Sequence, residues 1–235
     1  MDFSVFSGAA FWAALLSIIV ANILLSGDNA VVIALASRNL PPSQQKKAIF
    51  WGSAAAIILR VVLTITAVQL LTLPYLKIIG AILLLYIGVQ LLADSGDEED
   101  MHAHSNIWGA IRTILVADLV MSLDNVLAVA AAAQKGPEET RLVLLIVGLG
   151  LSIPLIIFGS AMLLKVMDRF PIIITLGAGL LGLLAGGMLV EDPAIKDSMQ
   201  AAFEDAHMIF EGIGVAIVLL VGTYLKKKQR NTGAT

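Results

Sequence analysis

Apolar runs of about 20 residues recur along almost the whole chain, separated by short polar or proline-containing joints. Seven such runs can be drawn, at approximately 10–36, 47–72, 75–93, 107–133, 141–165, 171–190 and 211–225. Six of them hold 19 residues or more, about what a helix needs to cross a hydrocarbon layer of about 30 Å, and the last is 15 residues as drawn. A membrane β-barrel would show shorter segments of alternating polarity instead. Pro41-Pro42, Pro74, Gly136-Pro137 and Pro171 fall in the joints, where a missing N–H and a fixed φ interrupt helices. The pattern predicts an all-α membrane protein with seven transmembrane helices. The first charge-free run, 3–27, lacks a basic leading segment and a clear cleavage site, so it is expected to be a retained helix.

Polar residues interrupt two of the runs in the same way. Ser26-Gly27-Asp28-Asn29-Ala30 lies within the first run, and Ser122-Leu123-Asp124-Asn125-Val126 lies 96 residues later within the fourth. Around them, Asn22 aligns with Asp118 and Ala34 with Ala130. Further on, Leu73-Pro74 matches Phe170-Pro171, Gly80-Ala81 matches Gly177-Ala178, and Asp94 matches Glu191, with about one residue inserted. Spans one to three therefore repeat as spans four to six. An odd number of spans per repeat turns the second copy upside down, giving a 3+3 inverted repeat plus one C-terminal helix. The expected organisation is a single transmembrane domain over 1–235: repeat one at about 10–93, an acidic histidine-containing loop at 94–106, repeat two at about 107–190, an external loop at 191–210, the seventh helix at 211–225 and a basic tail at 226–235.

Charge sets the expected orientation. Arg38, Lys46, Lys47, Lys165, Arg169, Lys226, Lys227, Lys228 and Arg230 fall on one side, against Lys77, Lys135, Arg141 and Lys196 on the other. By the positive-inside rule the first side is cytoplasmic, with the N-terminus outside and the C-terminus inside a plasma (inner) membrane. The composition agrees with a chain embedded in the lipid bilayer. It is 58% hydrophobic and 14% charged, against about 25% charged in soluble domains. No cysteine is present, which excludes disulfides, thiolate metal sites and thiol chemistry.

The repeated motif is where chemistry is expected. A charge near the bilayer centre costs about 3 kcal/mol on insertion scales, so ionisable residues there are functional candidates. Asp, Asn and Ser all offer oxygen, which suits hard cations. Asp28, Asn29, Asp124, Asn125, Asp118, Asn22, Ser26 and Ser122 are thus the candidate metal ligands. On an unbroken helix Asn22, Ser26 and Asn29 share one face, as do Asp118, Ser122 and Asn125. Asp28 and Asp124 point elsewhere, so convergence needs a local break. Gly27 could supply one in the first copy, whereas Leu123 leaves the second copy free to stay continuous. The charged groups placed deep in the spans are Asp28, Asp118, Asp124 and Arg60. With every carboxylate ionised they leave a deficit of two charges, which one divalent cation would neutralise. Arg60 is expected to serve as a structural ion-pair partner of one carboxylate.

SGDNAVVIALA in the first span and LDNVLAVAAA in the fourth resemble the signature of the TerC family of integral membrane proteins, and the likeness covers nearly the whole chain. The resemblance implies membership of the wider LysE transporter superfamily and metal-ion efflux, with Mn²⁺ as the transported substrate. It maps the family's paired acidic sites onto Asp28 with Asn29 and Asp124 with Asn125. Some members carry a tellurium-resistance name, and a chloroplast relative is associated with thylakoid protein assembly.

The leading expectation is a non-enzymatic exporter of a divalent metal ion, most readily Mn²⁺, working by alternating access. The rivals are an assembly or scaffold factor of the same family and an intramembrane aspartyl protease, whose two aspartates would share a proton. No nucleic-acid partner is expected, and homodimerisation is left open. Glu204, His207 and Glu211, spaced i, i+3 and i+7, would share a helix face and form a secondary metal site. His102 and His104 in the acidic loop could also collect metal. Asp192-Pro193 reads as the N-cap and first residue of a helix within the 191–210 loop.

Overall fold

The computed structural model describes residues 8–25, 27–70, 73–94 and 106–232. The side chains of Leu24, Asp124, Arg230 and Thr232, and those of 67–70, lie outside that description, as do Ser26, His102 and His104. Among the described residues there are ten α-helices and no strand. They run α1 Ala9–Leu24, α2 Gly27–Ser37, α3 Pro42–Leu70, α4 Leu76–Ala93, α5 Ile107–Gln134, α6 Arg141–Gly150, α7 Ile153–Arg169, α8 Ile172–Val190, α9 Lys196–Ala202 and α10 Ala206–Thr232. Among the described residues five spans are long and apolar enough to cross a membrane, or up to seven if each of two bent pairs counts as one.

The bends fall on the repeated motif. The axes of Ala9–Ile23 and Gly27–Ser37 differ by 47°, and those of Ile107–Leu123 and Asn125–Gln134 by 61°. The first motif breaks its helix outright, and Gly27 opens α2. The second keeps helical hydrogen bonding through α5 yet bends more sharply. The expectation that Leu123 would preserve a continuous helix therefore holds for hydrogen bonding and fails for direction.

A third interruption was not anticipated. The expected span at 141–165 stands as one candidate span, Glu138–Arg169, but its helix is interrupted at Leu151-Ser152 between α6 and α7. Pro154 sits in the first turn of α7, where its missing N–H would otherwise bond the carbonyl of Gly150. Ser152 Oγ donates instead to Gly148 O at 3.3 Å, satisfying one carbonyl near the break. The 191–210 segment also differs. Asp192 starts a turn and α9 begins only at Lys196, with Ile195 as its N-cap. Meanwhile α10 starts at Ala206 and runs into the basic tail.

The helices interlock across the two halves of the chain. α3 packs on α5, α7 on α2, α4 and α10 on α8. Ile18, Leu35, Leu84, Ile114, Leu144 and Leu181 are fully buried in the shared core. Glycine sets the closest approach. A Cβ on Gly186 would run into the Phe210 carbonyl of α10, and one on Gly182 into the Gly214 carbonyl. This is small-residue packing of the kind that lets helix backbones meet in lipid. The far face of α10 carries exposed Ile213, Leu220 and Tyr224, suited to lipid contact.

Gly186→Ala is expected to destabilise the protein by about 1–3 kcal/mol, because backbone blocks the new methyl. Gly109→Ala has open space around it and should be neutral or gain up to about 1 kcal/mol from helix propensity. Thermal unfolding of both variants in detergent checks the contrast; equal effects would contradict the close α8–α10 packing.

Candidate functional site

Arg60, midway along α3, is 1% exposed. A guanidinium has five N–H donors and cannot lose its charge, so burial forces it to find oxygen. It finds it on two other helices. Nη2 donates to Asp118 Oδ1 at 2.5 Å, Nε to Ser122 Oγ at 3.0 Å and Nη1 to Asn22 Oδ1 at 2.7 Å. Ser122 passes the interaction on, donating to Asp118 Oδ2 at 3.3 Å. Asp118 and Ser122 lie one turn apart on α5, and Asn22 is near the end of α1. Three of the candidate ligands thus converge on Arg60, which neutralises Asp118.

The motif residues proper sit beside this cluster, at the break. Interrupting α1 leaves backbone groups without helical partners, which lipid cannot satisfy. Asp28 Oδ1 accepts the Asn29 N–H at 2.8 Å, capping the first turn of α2. Asn125 Nδ2 donates to the Leu25 carbonyl at 3.2 Å. The asparagine of the second motif thereby satisfies the opening made by the first. Asn29 is 3% exposed, and neither atom of its side-chain amide finds a protein partner among the described residues. Asp28 is partly buried, and the charges of Arg60 and Asp118 both act on it. Asp124 stands at the bend of α5. Its side chain and Ser26 fall outside the described residues.

The secondary metal set does not assemble as expected. Glu204 precedes α10 and is exposed, so helical spacing does not bring it to His207. Glu191 takes that place from the end of α8. His207 Nε2 lies 3.3 Å from Glu191 Oε1, and His207 Nδ1 lies 3.5 Å from Glu211 Oε1. Lys77 Nζ closes the chain on Glu191 Oε2 at 3.0 Å. Burial pushes the Glu191 carboxyl up, but the Lys77 hydrogen bond and the charges of Lys77, His207 and Lys196 outweigh it and hold it below the usual range. Among the described residues no group of three or more His, Asp or Glu is arranged to hold a metal ion.

Sequence reasoning missed the role of Asp192. Its Oδ1 accepts the N–H groups of Tyr75 (2.9 Å) and Ala194 (2.8 Å), and its Oδ2 those of Lys77 (3.0 Å) and Ile78 (3.3 Å). It therefore caps α4, more than a hundred residues earlier, besides its own turn. Tyr75 needs the help, because it holds φ at 67°, a left-handed conformation costly for a side-chain-bearing residue. At the other end of α4, Arg38 donates to the Leu91 carbonyl and Asn39 Nδ2 to the Asp94 carbonyl at 2.9 Å. Burial lowers the Arg38 pKa to about 10 against the opposing pull of Asp94, so it stays cationic at that helix C-terminus.

The profile of the integral membrane protein TerC family matches residues 7–230. The chain is 40% identical over 216 residues to the uncharacterized membrane protein YjbE of Bacillus subtilis (strain 168), covering 92% of this chain and 96% of that one. It is 29% identical over 205 residues to the uncharacterized membrane protein YkoY of the same organism, covering 83% and 56%. It is 24% identical over 202 residues to the UPF0053 inner membrane protein YoaE of Escherichia coli (strain K12), covering 77% of this chain and 38% of that one. No solved structure matches.

The Asp192 cap has a pH signature. Burial acts to raise its pKa, but the hydrogen bonds from Ala194, Tyr75, Ile78 and Lys77 hold it below the usual 3.8. A depressed carboxylate stabilises fully above its unfolded pKa, and that stabilisation fades as pH falls through the folded value. Asp192→Ala should therefore cost about 1–2 kcal/mol at pH 7, and the gap to wild type should narrow in strong acid. Thermal unfolding of the pair across pH checks it; a gap unchanged at pH 3 would contradict the role.

Proposed function

We propose that this chain, which belongs to the integral membrane protein TerC family, exports a divalent metal cation, most readily Mn²⁺, by alternating access in a LysE-superfamily-like inverted repeat. The observation that carries the reading is the meeting of the two motifs: Asn125 of the second reaches the Leu25 carbonyl at the break made by the first. Both motif helices bend there, by 47° and 61°, as helices do in transporters that open backbone toward a substrate. Helix partners favour the repeat as well. The second helix of each half packs on the first helix of the other, α3 on α5 and α7 on α2. Gly80 of α4 lies against Val120 of α5, and Gly177 of α8 against Val31 and Leu35 of α2.

In this reading Asp28 and Asp124 bind the ion from opposite repeats, with the Asn29 and Asn125 amide oxygens and the Ser26 hydroxyl completing an oxygen shell. Asn29 supports this, since its buried amide has no protein partner among the described residues. The ligands contain neither sulfur nor imidazole, which lowers the preference for Cu, Zn and other softer ions. Mn²⁺ accepts oxygen ligands, whereas Mg²⁺ gives up its water reluctantly. In this reading the C-terminal end of α10 and the Arg38 end of α2 face the cytoplasm, which the positive-inside rule favours from their basic residues.

Asp28→Asn and Asp124→Asn are each expected to abolish Mn²⁺ efflux from loaded cells while the protein still reaches the membrane in normal amount. Efflux at the wild-type rate in either variant would sink the two-repeat site.

A further inference from the structure

Three helices differ from most of the others in continuity. α4, α8 and α10 run unbroken for 18, 19 and 27 residues. By contrast the first span breaks between α1 and α2, α5 bends by 61°, and another span is interrupted between α6 and α7. The three unbroken helices also pack on one another. α8 and α10 meet backbone to backbone, since a Cβ on Gly214 would run into the Gly182 carbonyl and one on Gly186 into that of Phe210. Backbone against backbone cannot yield as a side chain can, so these two helices cannot slide past each other. α4 seats Gly88 against both Leu181 of α8 and Val218 of α10. Polar bonds tie the ends. Asp192, just after α8, accepts the Tyr75, Lys77 and Ile78 N–H groups at the start of α4. Glu191 pairs with Lys77 and lies 3.3 Å from His207 of α10.

The trio meets the motif-bearing helices through contacts of another kind. Val120 of α5 fills the notch at Gly80 of α4, and Val31 of α2 fills the notch at Gly177 of α8. Gly80 and Gly177 are matched positions of the sequence repeat, and each takes its valine from the opposite half of the chain. An apolar side chain on a glycine makes no directional bond, so such surfaces can turn on one another. Arg38 and Asn39 of α2 bond the Leu91 and Asp94 carbonyls at the far end of α4, which holds the two parts together there. We propose that α4, α8 and α10 form one rigid body, and that the motif helices rock against it on the Gly80–Val120 and Gly177–Val31 contacts, pivoting at the Arg38 end of α4. The division into bodies rests on the packing. The use of the motion, opening the motif site to one side of the membrane and then the other, rests on the export reading above.

The chain has no cysteine, so introduced pairs can be bridged without interference. Gly177→Cys/Val31→Cys and Gly80→Cys/Val120→Cys would staple the trio to the motif helices, whereas Gly179→Cys/Val215→Cys and Gly88→Cys/Val218→Cys would staple it to itself. The full-length chain is tested in proteoliposomes. Oxidation should cut Mn²⁺ flux at least about tenfold in the first two variants, with recovery on reduction, and change it less than about twofold in the last two. Unaltered flux through a fully bridged pair of the first kind, or a tenfold loss on bridging one of the second kind, overturns the proposal. Spin labels at the exposed positions Leu176, Leu220 and Phe158 read the same division without transport, and without any of those pairs having to fold. The distance from Leu176 to Leu220, within the trio, should give one narrow peak, and that from Leu176 to Phe158 of α7 a broad or double one. Equally narrow peaks overturn the proposal. If wild-type proteoliposomes carry no Mn²⁺ while the distances divide as expected, the export reading fails and the rigid body stands.

Discussion

A guanidinium inside an apolar helical bundle is the constraint around which this structure is arranged. Arg60 cannot neutralise itself, so three oxygens from two further helices must be delivered to it at hydrogen-bonding distance. That requirement ties α3 to α1 and α5 at one depth, and so fixes the height at which the two Asp-Asn motifs stand. The helix breaks follow the same rule in reverse. Where a motif opens the backbone, a motif side chain closes the exposed group, Asp28 for the Asn29 N–H and Asn125 for the Leu25 carbonyl. Polar groups at the breaks are thus arranged as mutual partners, while the buried amide of Asn29 has no protein partner among the described residues.

Much of this was legible in the sequence, because lipid imposes a length and a polarity on every span. The apolar runs locate the helices to within a few residues, and Gly27 of the first motif marks where α1 gives way to α2. Local signals also mattered where they were read too lightly. Pro154 announces the interruption between α6 and α7, since a proline deep in a helical run always removes a bond.

Long-range partnerships were not legible. Asp192 looks like the cap of the helix that follows it, because capping is usually local. Only the fold shows it holding the first turn of α4. Glu204 shares a helical spacing with His207 and Glu211, but spacing means nothing until the helix start is known, and α10 begins two residues too late. Glu191, invisible to that pattern, arrives from α8. The bend of α5 has the same character, since Leu123 gives no local reason for it.

The central claim is the proposal that the two Asp-Asn motifs together bind one divalent ion. Counting bound Mn²⁺ on the purified chain by electron paramagnetic resonance tests it most directly. The account predicts one ion per chain, lost entirely when either Asp28 or Asp124 is replaced by asparagine. Two ions per chain, each lost with only one of the two aspartates, would contradict it.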